Sequence, residues 1–225
     1  MGQIGNNTVV LYSSPIQVGT LTTWKQISCG YRSSSVLKID GTLWTWGRND
    51  LGQLGNGTVT YYSSPIQVGT LTNWKQASNS GYFIEAIKND GSLWAWGGGA
   101  ASGVLGNGTV TSYSSPIQVG ALTNWKQVSC GSGTGFAIKT DNTLWACGYN
   151  RYGQLGNNTV VYYSSPIQVG ALTNWKLVAT ASGFGSAWMA IKTDGTLWGC
   201  GYNPSGMLGN NTCLLYTSDA ADDLL

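Results

Sequence analysis

Ser13-Ser-Pro-Ile-Gln-Val-Gly19 returns at residues 63–69, 114–120 and 164–170, at spacings of 50, 51 and 50 residues. A second element keeps the same beat. Leu43-Trp44 is followed by Leu93-Trp94, Leu144-Trp145 and Leu197-Trp198, the last after 53 residues because its unit carries small insertions. Leu-Gly-Asn recurs at Leu54, Leu105, Leu155 and Leu208, and Ile4-Gly5-Asn6 reads as a clipped first copy. Periods of 20 to 50 residues mark tandem-repeat architectures, so the chain holds four units and the start of a fifth.

Within a unit the strand signals are short and bounded by turn residues: Trp125-Lys-Gln-Val-Ser-Cys130, Phe136-Ala-Ile-Lys139, Thr143-Leu-Trp-Ala-Cys147 and Pro166-Ile-Gln-Val169. The second and third are joined by Asp40-Gly41, Asp90-Gly91, Asp141-Asn142 or Asp194-Gly195, which predicts tight type I′ hairpins. Four strands in about 50 residues predict a propeller blade, because a single blade cannot cover both of its faces until a neighbour stacks on it. The predicted fold is all-β, with four four-stranded blades across residues 1–212.

Leu43-Trp-Thr-Trp-Gly47 with Gly52-Gln-Leu-Gly55, and Leu144-Trp-Ala-Cys-Gly148 with Gly153-Gln-Leu-Gly156, resemble the regulator of chromosome condensation repeat. The Trp-Gly, Gly-Gln-Leu-Gly, Pro-x-x-Val and Asp-Gly elements recur in that family's order and spacing over nearly the whole chain. The resemblance implies a β-propeller, usually of seven blades, of which this chain would be a partial one. The eukaryotic pattern carries a histidine after the first strand. Arg32, Phe83 and Ser132 lie there in this chain, which resembles the histidine-free bacterial and phage branch more closely. The family's founding member is a guanine nucleotide exchange factor. No insertion here resembles its exchange wedge, so exchange activity is not carried over.

After Asn210-Asn211-Thr212 the pattern gives way to Cys213-Leu-Leu-Tyr-Thr-Ser-Asp-Ala-Ala-Asp-Asp-Leu-Leu225. Residues 213–225 read as a non-native or disordered tail, and the break inside a unit suggests a longer natural protein. The outer-strand segment around Ile16 has no preceding partner, and the last unit lacks an outer strand of its own. The four blades can close through that pair or stand as an open arc. The arc is preferred, because a ring of four must turn each blade through about 90° and a ring of seven through only about 51°, and interblade packing is tuned to one angle. An arc leaves an unpaired edge, which predicts self-association.

Composition removes most chemistries. The 225 residues contain no histidine, which excludes histidine-based triads and histidine metal sites. Charged residues make up 9%, against about 25% in an average domain. The net charge of +2 is dispersed, with no basic cluster to mark a nucleic-acid face. No apolar run is long enough for a membrane span and no signal sequence is visible. The hairpin aspartates stand alone, without a second carboxylate at metal-ligand spacing. No cofactor is expected.

Other repeated residues have structural explanations. Asn6, Asn56, Asn107, Asn157 and Asn210 begin Asn-x-Thr triplets at constant turn positions, so they read as turn formers rather than glycan acceptors. Cys29 and Cys130 share one repeat position and Cys147 and Cys200 another, a blade apart and therefore poorly placed for disulfides. The recurring tryptophans suit blade-to-blade packing better than a stacking platform.

Differences between units carry the functional expectation. The loops after the first and third strands vary, and in an antiparallel meander both emerge at the same end. The Asp-Gly turns and the near-constant connectors fall at the other. The variable end is expected to display Tyr31, Arg32, Arg48, Tyr82, Phe83, Glu85, Tyr149, Arg151, Tyr152, Phe184 and Trp188, a mixture typical of protein-binding hot spots. The alternative places Phe83, Phe184 and Trp188 partly in the core. The expected function is a non-enzymatic scaffold that binds a protein partner through this face. The alternative is a secreted or virion surface appendage that binds a cell-envelope glycan through aromatic loops.

Overall fold

The computed structural model describes residues 2–98, 102–181, 187–203 and 206–210. Phe184 and the tail at 213–225 lie outside the described residues. Each unit forms one antiparallel sheet with its strands in chain order. The first holds β1 (Trp24–Cys29), β2 (Ser33–Lys38), β3 (Leu43–Gly47) and β4 (Tyr62–Gln67). The second holds β5 (Trp74–Asn79), β6 (Phe83–Lys88), β7 (Leu93–Gly97) and β8 (Tyr113–Gln118). The third holds β9 (Trp125–Cys130), β10 (Thr134–Lys139), β11 (Leu144–Gly148) and β12 (Tyr163–Gln168). The fourth holds β13 (Trp175–Thr180), β14 (Ala187–Lys192) and β15 (Leu197–Gly201), and so has three strands among the described residues.

The hairpins between the second and third strands differ from the expected type I′. The Gly41 N–H donates to Lys38 O (3.1 Å) and the Lys38 N–H to Thr42 O (2.9 Å). Gly41 has φ 79° and Asn142 φ 62°, whereas the preceding aspartates are not among the described residues with positive φ. Only one residue per turn is left-handed, which is the type I turn closed by a glycine bulge rather than a type I′ pair. The aspartate is used differently as well. Asp40 Oδ1 accepts from the Thr42 N–H (2.9 Å) and hydroxyl (2.7 Å), and Trp44 Nε1 donates to that hydroxyl (2.9 Å). The same relay recurs through Asp90, Asp141 and Asp194.

The core lies between the sheets. Leu37, Leu43 and Val68 of the first blade pack with Trp74, Ala77, Ala86 and Trp96 of the second, and two further clusters fill the next two seams. Trp74, Trp125 and Trp175 each meet a third-strand tryptophan edge to face, at 6.1 to 6.2 Å. A lysine at the end of the second strand reaches the same tryptophans: Lys88 Nζ lies 3.3 Å from the Trp94 ring centroid and 5.1 Å from that of Trp74.

Side chains stitch the innermost strands together. Gln76 Nε2 donates to Val128 O (3.3 Å), and Gln76 Oε1 accepts from the Val128 N–H (3.3 Å). Gln127 does the same to Val178, at 2.8 and 3.1 Å. Ser28, Ser78 and Ser129 accept from the N–H groups of Asn79, Cys130 and Thr180 in the following blade. In the fourth blade Leu177 and Ala179 occupy these two positions, so the ladder stops.

Contacts between sheets join the first to the second, the second to the third and the third to the fourth, which makes an open arc. Exposure shows where it opens. Ile27 is 66% exposed, although its counterparts Ala77, Val128 and Val178 are at 2 to 5%. Leu197 is 63% exposed, against 0 to 2% for Leu43, Leu93 and Leu144.

Replacing Gln127 with alanine leaves the Val178 N–H and C=O without their partner. We expect a loss of about 1–3 kcal/mol of stability in urea denaturation. An unchanged midpoint would show that the ladder contributes nothing.

Candidate functional site

In the first three blades the two variable loops are joined by backbone bonds. The Arg48 N–H donates to Arg32 O (2.9 Å), the Gly98 N–H to Tyr82 O (2.9 Å) and the Tyr149 N–H to Gly133 O (2.8 Å). Neighbouring blades join there too, through the Tyr31 N–H and Ser80 O (3.2 Å). At the opposite end the hairpins hold the connectors, as in the Trp74 N–H bond to Gly41 O (3.1 Å).

Two aromatic groups stand at the variable end. Over the first and second blades, Tyr31 and Tyr82 stack at 6.1 Å with ring planes 15° apart. The Arg32 guanidinium lies 4.7 Å from the Tyr31 centroid and that of Arg48 5.9 Å from the Tyr82 centroid. Arg48 also donates to both carboxylate oxygens of Asp50. Those bonds hold the Asp50 carboxyl below its usual value and the Arg48 guanidinium above its own.

Over the third and fourth blades, Tyr149 lies 4.8 Å from Tyr162, and Tyr152 stacks on Tyr202 at 4.7 Å. The Arg151 guanidinium is 6.0 Å from the Tyr152 centroid. Tyr162 and Tyr202 are additions to the expected set. Both had a sequence signal: Tyr202 occupies the repeat position of Tyr149, and the position of Tyr162 reads Leu11, Tyr61 and Ser112 in the other units.

A cleft of about 240 Å³ separates the two groups, lined by Leu51, Tyr82, Gly98, Ser102, Ser132 and Gly133 among others. It opens where the second unit departs from its siblings. In the first unit, buried Asn49 donates to Thr58 O and Thr60 O and accepts from the Leu54 N–H, and buried Gln53 reaches Gly81 O. Asn150 repeats the clamp in the third. In the second unit Val104 stands where Gln53 does, within a glycine- and alanine-rich loop. A larger cavity, about 310 Å³, lies away from this face against Trp24, Ile27, Val36 and Trp46.

Charge divides by residue type. The chain's three arginines, Arg32, Arg48 and Arg151, all stand in the variable loops. Every lysine occupies one of two fixed repeat positions, at the start of the first strand or the end of the second.

Phe83, Glu85 and Trp188 are corrections to the expected display, since each is a buried strand residue. The cause is the volume that the seams must fill, which neighbouring strands of a blade exchange between them. At one level of the blades the cross-strand pairs are Ser34–Trp46, Ile84–Trp96, Gly135–Cys147 and Trp188–Cys200. In the fourth blade the large ring moves from the third strand to the second and keeps its bond, Trp188 Nε1 donating to Gln154 O (2.8 Å), as Trp96 Nε1 does to Gln53 O (3.2 Å). Phe83 is at 0% exposure within the seam between the second and third blades.

The pair Gly135–Cys147 has no large ring, and Glu85 from the second blade occupies that space. A Cβ on Gly135 would fall 2.2 Å from Glu85 Oε1. Burial pushes the Glu85 carboxyl up to about 8, against a weaker opposing bond from the Cys130 thiol, whose Sγ lies 3.6 Å from Oε2. Burial, and secondarily the nearby carboxyl, also raise the Cys130 and Cys147 thiols. Cys29, at the open edge, is exposed, unlike Cys130, Cys147 and Cys200.

Sheets stacked as blades, with variable loops gathered at one end, define a β-propeller repeat protein. The motif described as "Regulator of chromosome condensation (RCC1) repeat" matches residues 40–87, 90–138 and 141–188, and a second description of the same repeat matches 24–53 and 125–154. The matches cover more than half of the chain, which belongs to the RCC1 repeat family. Human WBSCR16 is similar in structure, with a TM-score of 0.83 at 22% identity over 96% of this chain and 58% of its own. Prp20p from Saccharomyces cerevisiae, described with its binding to Gsp1p and histones, gives 0.76 at 18% over 89% and 50%. Yeast RCC1 (Prp20) bound to Kap60 gives 0.78 at 17% over 89% and 49%. The chain thus spans about half the length of these solved relatives, and the likeness is one of fold.

Glu85 predicts a pH dependence. A group protonated in the folded state up to about 8, but titrating near 4.5 when unfolded, contributes fully below 4.5 and loses that contribution as pH rises towards 8. Denaturation at several pH values should show stability falling through this window by up to about 1.4 kcal/mol per pH unit. Glu85→Gln should flatten the slope, and an unchanged slope would mean that Glu85 is ionised in the folded protein.

Proposed function

We propose that the chain is a non-enzymatic scaffold whose variable face binds a protein partner. The observation that carries this reading is the segregation of all three arginines, together with two tyrosine groups, to one end of the blades. Arginine and tyrosine are the residue types that dominate protein interfaces, whereas the lysines here are fixed by the repeat. Among the described residues the carboxylates support binding over catalysis. Asp40, Asp90, Asp141 and Asp194 are tied into hairpins, Asp50 is held by Arg48, and Glu85 is buried. The tyrosine rings are stacked on one another, which favours a protein partner over a glycan that would need an open ring face.

The yeast relative is described with protein partners, which adds support by analogy of fold. Guanine nucleotide exchange is not proposed. The test is crosslinking capture of a partner, followed by calorimetry with Arg32→Ala, Tyr82→Ala and Arg151→Ala. At least one of these should cost 2 kcal/mol or more, about a thirtyfold loss of affinity. Unchanged affinity in all three removes the face from the reading, and specific retention on a glycan array without protein replaces it.

A further inference from the structure

We propose that the cleft between the second and third blades is a site for a side-chain carboxamide, and that the protein partner fills it with a glutamine. The inference rests on the reading of this face as a partner surface. It starts from one repeat position, which reads Gln3, Gln53, Val104, Gln154 and Met207 along the chain. Four of these side chains are long and unbranched, and Val104 alone is short. The backbone beneath them is constant. The N–H groups of Gly55, Gly106 and Gly156 donate to the carbonyls of Gly52, Gly103 and Gly153, each at 3.0 Å, and all six glycines have φ between 66° and 77°. A side chain at residue 104 therefore leaves its turn as Gln53 does.

The neighbouring units show what this place holds when it is full. Gln53 and Gln154 are fully buried. Gln53 Oε1 accepts from the Leu51 N–H (2.9 Å), and its Nε2 donates to Gly81 O and to Asp50 Oδ1, both at 3.3 Å. Gln154 Oε1 accepts from the Tyr152 N–H (2.8 Å). In the second unit Ser102 precedes its turn as Leu51 does. Ser132 stands two residues before Thr134, as Gly81 does before Phe83, and both of those strand residues pair with the glycine that ends the third strand. Ser102, Ser132 and Val104 all line the cleft. Neither serine has a hydrogen-bond partner among the described residues. The cleft is thus the space of a missing carboxamide, flanked by the residues that replace its partners.

Size and charge narrow the occupant. A volume of about 240 Å³ lies below the roughly 300–1,000 Å³ of small-molecule pockets and suits one side chain. Among the described residues no lysine, arginine, aspartate or glutamate lines the cleft, so a charged side chain would lose water there without gaining a counter-charge. A carboxamide is neutral and carries both a donor and an acceptor. Leu51, Phe83 and Val104 supply apolar walls for its methylenes. Tyr82 lines the cleft and also stacks on Tyr31, so a chain seated on those rings reaches the opening.

NMR titration of the full chain with N-acetylglutamine methylamide tests the site without the partner. Saturable shifts should appear at the amides of Ser102, Val104, Ser132 and Gly133 at millimolar concentrations. The methionine analogue, similar in shape, should bind about fivefold more weakly for each hydrogen bond that it cannot make. Val104→Gln supplies the carboxamide from within. It should abolish the shifts and unfold in urea at a midpoint no lower than that of Val104→Met. With the captured partner, Val104→Gln should lower affinity by about tenfold or more. Equal binding of the two probes, no saturable shift with glutamine, a lower midpoint for Val104→Gln than for Val104→Met, or unchanged partner affinity overturns the proposal. The face itself is tested separately by Arg32→Ala, Tyr82→Ala and Arg151→Ala, so the two readings can fail independently.

Discussion

A blade of this protein has two apolar faces and no means of covering either from within. That constraint accounts for most of the structure. Trp74, Trp125 and Trp175 are buried because the preceding blade supplies a leucine or isoleucine, a second leucine and a valine to cover them, while Trp24, at the open end, lines an exposed groove. The relay of lysine, tryptophan and a threonine or serine hydroxyl at each hairpin fixes the ring edges that the next blade must fit. Stability in such a protein is shared between units and the contacts that join them.

The same constraint explains where variation is permitted. Interiors pack to crystal-like density, so a change of volume at one position of a seam needs an answer from its neighbours, in the same blade or the adjacent one. Trp96 with Ile84, Cys147 with Gly135, and Cys200 with Trp188 are different fillings of one layer, and Glu85 occupies the space left by the least bulky pair. Outside the seams the loops have no such obligation. The arginines and tyrosines of the variable end stand in those loops, and the cleft beside Tyr82 opens where the Asn49 and Gln53 clamp has no counterpart.

The repeat made the blades, their strands and the shared end of the variable loops legible in the sequence. Four near-copies of one pattern report their own boundaries. Tyr31, Arg32, Arg48, Tyr82, Tyr149, Arg151 and Tyr152 could be placed at that end because their loops differ between units while the flanking strands do not. Phe83, Glu85 and Trp188 could not be placed correctly by the same rule. Their variation compensates for changes in strands of the same or adjacent blades, a relation that exists only once the blades are stacked. The hairpins hid their geometry in a similar way. Asp-Gly fits both a type I′ turn and a type I turn with a bulge, and the relay from aspartate through threonine to tryptophan is formed with the latter.

Residue-resolved amide hydrogen exchange tests most directly whether the seams hold the protein together. The Val128 and Val178 N–H groups point out of their own sheets to glutamines of the preceding blade, whereas Ile27, at the same repeat position, has no blade before it among the described residues. The account predicts strong protection at Val128 and Val178, comparable to amides within the sheets, and fast exchange at Ile27. Val128 and Val178 exchanging as fast as Ile27 would contradict it.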